Sequence, residues 1–100
     1  MQLSEMPEAI KRQADLVQQI TEMRDSYLNQ KKRQDIEIER IIQAANHKNE
    51  LQRDIARFDL RDDTYKDLLS IIQKVEHNLA VAKIELQYLK DTFEVLKLEQ

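Results

Sequence analysis

The sequence predicts an all-α protein: a long antiparallel helical hairpin of coiled-coil type, packed with further helices in an oligomeric bundle. Three observations predict it. The 100 residues contain no glycine and one proline, so the tight turns and phosphate-cradling loops that rely on glycine have little to be built from. Charged residues make up 35% and aromatics 5%, the composition of long helices and coiled coils. Finally, Tyr65, Leu68, Ile72, Val75, Leu79, Ala82, Leu86, Leu89, Phe93 and Leu96 recur at alternating spacings of three and four, which makes a heptad seam. Regular spacing of Ile, Leu and Val also counts against disorder in so charged a chain.

The first helix is expected over about residues 5–58. Ser4 suits its cap, Pro7 is tolerated only in a first turn, and Glu5 and Glu8 complement the positive helix end. No strong helix breaker follows as far as Arg57. The polar stretch NQKKRQD, residues 29–35, offers a second break, with Asn29 ending one helix and Asp35 starting another. Helix propensity there favours continuity, leaving a three-helix chain as the alternative.

The turn is expected over about residues 59–63. Asp59, Asp62, Asp63 and Thr64 cluster before an apolar run, and Thr64-Tyr65-Lys66-Asp67 is a loose capping box. A continuous helix through this point is the alternative, because no glycine or proline enforces the turn.

The second helix is expected over about residues 64–98. Within LAVAKIELQYL, residues 79–89, apolar and polar residues alternate as in a strand. The heptad seam runs straight through this segment, so it reads as helix. The alternation has another cause: Val81, Ile84, Tyr88, Val95 and Leu98 form a second stripe, broken only by Asp91, nearly opposite the first.

The first helix is less regular. Ile10, Val17, Ile20, Tyr27, Ile38, Ile41, Ala45 and Ile55 share one heptad phase with the polar Gln13, Arg24, Lys31, Gln34, Lys48 and Gln52. Polar seam residues either specify register and partner or mark a frayed coil. Leu51 and Phe58 prefer a shifted phase, while Leu16 and Met23 widen the stripe. A fold at residues 60–63 leaves Glu8 to Arg24 as an overhang without an intramolecular partner. Ile10, Leu16, Val17, Ile20, Met23 and Tyr27 are therefore expected to bind a partner, together with the stripe from Val81 to Leu98. Only a chain bent back near residues 29–35, or another chain, covers both surfaces. The assembly reading requires a neighbouring helix over Val81, Ile84, Tyr88 and Val95, and falls if these four are bathed in solvent with none.

Nothing in the sequence assembles chemistry. His47 and His77 are isolated, with Ala44 and Lys74 where helical di-iron sites need a glutamate. Both histidines are expected to face solvent. The pair Asp62–Asp63 is explained by capping, and no HExxH, Ser–His–Asp or Cys–His arrangement exists. Enzyme activity, cofactor, metal and small-molecule substrate are not expected. Absence of cysteine excludes disulfides and fits an intracellular setting, cytoplasm or nucleus. The N-terminus lacks the apolar core of a secretory signal, and the longest apolar run is the four residues Leu79 to Ala82, too short to span a membrane. Net charge is −3 with both signs interspersed, which disfavours general nucleic-acid binding.

The expected function is that of a non-enzymatic structural or adaptor subunit, a coiled-coil scaffold binding partner helices in a hetero-oligomeric intracellular assembly. At the level of class the chain resembles small coiled-coil subunits of kinetochore, vesicle-tethering and transcription-coactivator complexes, and no motif selects among them. The alternatives are a self-associating homo-oligomeric bundle and a binder of nucleic acid, microtubule or acidic membrane through Lys31-Lys32-Arg33.

Overall fold

A computed structural model describes residues 2–100, except the side chain of Thr64. A 3-10 turn, Leu3–Glu5, leads into helix α1, Met6–Ala44, and helix α2 spans Glu50–Leu98. The described residues contain no strand. The chain is all-α, and LAVAKIELQYL lies inside α2.

The chain breaks its helix at residues 45–49 rather than 59–63. Two asparagines explain the position. Asparagine competes with its own backbone for hydrogen bonds and favours helix ends over interiors. The Asn49 side-chain oxygen accepts the Gln52 backbone N–H at 2.9 Å, so Asn49 caps α2. The Gln52 side chain reaches back and accepts the Lys48 N–H at 2.9 Å. This is a capping box in which the return bond lands one residue early. Glu50 in the first turn and Lys97 in the last complement the helix dipole. No non-glycine residue has positive φ among the described residues, so a chain without glycine makes this connection from ordinary dihedrals.

The Asp-rich stretch 59–63 is helical throughout. Its aspartates face water from an unbroken helix, and the Thr64 hydroxyl of the expected capping box lies outside the described residues. At the N-terminus Ser4 sits within the 3-10 turn and is not the cap; the Glu5 carboxylate instead accepts the Gln2 N–H at 3.3 Å. Pro7 is in the first turn of α1, and α1 continues through residues 29–35.

Packing divides into two compact units. The first joins residues up to Arg24 with Lys74–Gln100. Here the segment expected to overhang is covered: Met6 is fully buried and Ile10, Gln13, Val17, Ile20 and Arg24 are half-buried. Opposing them, Val75, Leu79 and Ala82 are buried, and Leu86, Leu89, Phe93 and Leu96 are half-buried. Moving the bend toward the N-terminus gives these α1 residues an intramolecular partner. Gln13 Nε2 donates to the Ala82 carbonyl at 3.0 Å and to Glu85 Oε2 at 3.3 Å. A polar seam position is thereby satisfied across the helix pair. Each large apolar side chain fully buried contributes roughly 1.5–3 kcal/mol.

The second unit, Asp25–Gln73, contains the connection. Ile38, Ile42 and Tyr65 form its core with Ala56 and Leu60 packed against them, and Leu68 and Ile72 are also buried. The α1 seam steps from Ile38 to Ile42, leaving Ile41 exposed. Ala45 has left the helix, and Ile55 is exposed on α2. The heptad phase read from the sequence therefore slips by one residue near the bend. Arg57 links the two antiparallel helices: its Nε donates to Glu39 Oε1 at 2.7 Å, its Nη2 to Glu39 Oε2 at 3.3 Å. Its Nη1 donates to Asp54 at 3.0 Å. The hydrogen bond to Glu39, more than the nearby charges, holds the Arg57 guanidinium above its ordinary pKa. A raised cation stabilises the fold below its unfolded pKa and stops doing so only as pH rises through the folded one, so Arg57 is charged at every ordinary working pH.

Candidate functional site

The seam leaves α2 with a second apolar side. Val81, Ile84, Tyr88, Val95 and Leu98 are exposed, by 41%, 69%, 69%, 52% and 86% respectively. Spaced at three, four, seven and three, they lie along one side of α2, opposite Leu79, Ala82, Leu86 and Leu89. No described segment of the chain covers them, so the neighbouring helix expected over Val81, Ile84, Tyr88 and Val95 is not supplied by the chain itself. The bent-back arrangement that would have brought the N-terminal segment over this stripe does not form, because that segment packs on the inner seam.

Several polar groups between Gln87 and Lys97 are occupied within the helix. Thr92 Oγ1 donates to the Tyr88 carbonyl at 2.8 Å, and Gln87 Nε2 donates to Asp91 at 2.9 Å. Lys97 pairs with Glu94 at 3.3 Å and lies 4.1 Å from the centroid of the Phe93 ring.

Of the α1 residues expected to bind a partner, Ile10, Val17 and Ile20 are half-buried in the first unit and Tyr27 is half-buried in the second. Only Leu16 and Met23 stay open, 41% and 49% exposed. The intramolecular seam consumes the rest. A further exposed set lies in the second unit, at Leu51, Ile55 and Phe58. Reading the bend at 59–63 hid these three, since it placed them on an inward-facing phase. Their four-and-three spacing is the signal that could have found them.

The basic cluster is partly engaged. Lys31 is half-buried, pairs with Asp35 at 3.4 Å and stands 5.4 Å from the centroid of the Tyr65 ring. Lys32 and Arg33 are exposed. His47, expected in solvent, is half-buried in the connection, and its Nε2 is buried without a hydrogen-bond partner among the described residues. His77 is exposed on α2. Among the described residues no three His, Asp or Glu side chains gather as a metal site, and no helix is long and apolar enough to cross a membrane.

Compared with protein-family models, with curated proteins and with solved structures, the chain gives no match.

Proposed function

We propose that the chain is a non-enzymatic structural or adaptor subunit, a helical hairpin of coiled-coil type that binds partner helices in a hetero-oligomeric intracellular assembly. One observation supports this reading: α2 is apolar on two opposite sides and α1 occupies only one of them, so the helix that the reading requires over the other side has to come from another chain. The open side, Val81 to Leu98, forgoes roughly 1.5–3 kcal/mol for each large side chain left in water. Large apolar side chains exposed in a row along one helix side suit an interaction surface. Tyr88 lies near the middle of the stripe, where an aromatic anchor contributes most to an interface. Binding through Lys31-Lys32-Arg33 is less well supported, since Lys31 already serves Asp35 and Tyr65.

The test is the mass of the chain in solution, alone and after capture from native extract, beside the variant Ile84→Ser with Tyr88→Ser. Both positions are exposed, so the variant keeps its fold. A specific partner that is lost with the variant supports the reading. A dimer of the chain alone that disappears in the variant replaces it with a homo-oligomeric bundle. A single-chain mass under every condition, with wild type and variant alike, refutes both.

A further inference from the structure

The charges beside the open stripe distinguish between partners. Along residues 81–99, helical geometry places Glu85 and Glu99 on one border of the stripe and Asp91 within it. All three are exposed. Glu85 and Asp91 accept hydrogen bonds only from the neutral amides of Gln13 and Gln87. None of the three takes part in an ion pair among the described residues. The basic residues of the same stretch, Lys83, Lys90 and Lys97, are one heptad apart and border the inner seam instead. The nearest cation on the open side, Lys74, precedes Val81 by about two turns.

An apolar stripe with acids along one border and one acid inside it selects its occupant. A second copy of this stripe would set Glu85, Asp91 and Glu99 against the same acids, a repulsion that grows as the interface excludes water. Anionic lipid and nucleic acid meet the same obstacle. A helix with lysine or arginine on both sides of a three-four apolar stripe meets none, and charges flanking a helix seam set partner choice.

We propose that the open side of α2 between Val81 and Leu98 docks an amphipathic helix of another protein whose apolar stripe is bordered by basic residues. This rests on the helix-binding role proposed above and names the partner's chemistry. The matching helix is about 18 residues long, or about 27 Å at 1.5 Å per residue.

The test uses the full chain and two synthetic helices of that length. They share one Leu/Ile stripe at three-four spacing; lysines border it in one, glutamates in the other. The lysine-bordered helix binds at least about tenfold more tightly at low salt, and the preference shrinks as salt screens the margins. Ile84→Ser with Tyr88→Ser, which leaves every charge in place, weakens that binding at least about tenfold, so bulk attraction is not its source. Asp91→Lys with Glu99→Lys reverses the preference between the two helices. Equal binding of both helices through Ile84 and Tyr88 overturns this inference and leaves the helix-binding role standing. Binding of neither helix, to the wild type or to the charge-reversed variant, overturns both. Self-association of the chain at low salt that Ile84→Ser abolishes also overturns it, in favour of a second copy.

Discussion

Tyr65 concentrates the local physics of the second unit. Its ring is buried in the core with Ile38 and Ile42, and Lys31 stands over it. Its hydroxyl is buried without a partner among the described residues, as is Gln34 Oε1. A buried polar atom left unpaired costs about 1–3 kcal/mol, whereas deleting it with the shape preserved does not. Tyr65→Phe is therefore expected to be neutral or to stabilise the chain by about 1 kcal/mol in urea unfolding. A loss of more than that would show that the hydroxyl has a partner after all. Gln13 shows the opposite case: a seam amide with both a backbone and a side-chain acceptor across the helix pair. Two glutamines in one heptad phase thus have unlike energetic roles, and the spacing pattern alone does not separate them.

At the scale of elements, the bend is decided by caps. Asn49→Ala removes the acceptor for the Gln52 N–H and is expected to cost about 1 kcal/mol. Asp62→Pro places a proline inside α2 and is expected to cost about 3 kcal/mol or more. Were the bend at residues 59–63, the order of the two effects in thermal unfolding would reverse. The helical character of the chain was legible from the absence of glycine and from the seam beginning at Tyr65. The place of the bend was not. Asp59, Asp62 and Asp63 look like a helix start but are equally at home on the wet face of a continuous helix. The true stop is carried by Asn46 and Asn49 and by a capping pair displaced by one residue, a weaker signal inside a segment that otherwise reads as helix. Once the bend moves, its consequences follow: Ile42 replaces Ile41 in the core, Met6 becomes buried, and Ile10, Val17 and Ile20 find cover within the chain. The open stripe of α2 was legible because it depends only on spacing within one helix, whichever way the chain turns.

For the whole molecule, the connection at Ala45–Asn49 has a consequence of its own. Because no described residue there adopts positive φ and none is glycine, every one of its positions accepts helical dihedrals without the left-handed penalty. The Asn49 cap, the Arg57–Glu39 pair, the Gln13 hydrogen bonds and the packing of α1 on α2 hold the chain folded back. Weakened caps are expected to permit domain exchange, in which the connection would straighten and each α1 would pack on the α2 of a twin chain through the same contacts. Replacing Asn46, His47, Lys48 and Asn49 together with alanine, the best helix former, is expected to raise the fraction of exchanged dimer in sedimentation at a given concentration. Unchanged sedimentation would show that the packed seams alone keep the hinge shut. The same seam that stabilises one chain is then a ready-made means of interlocking two.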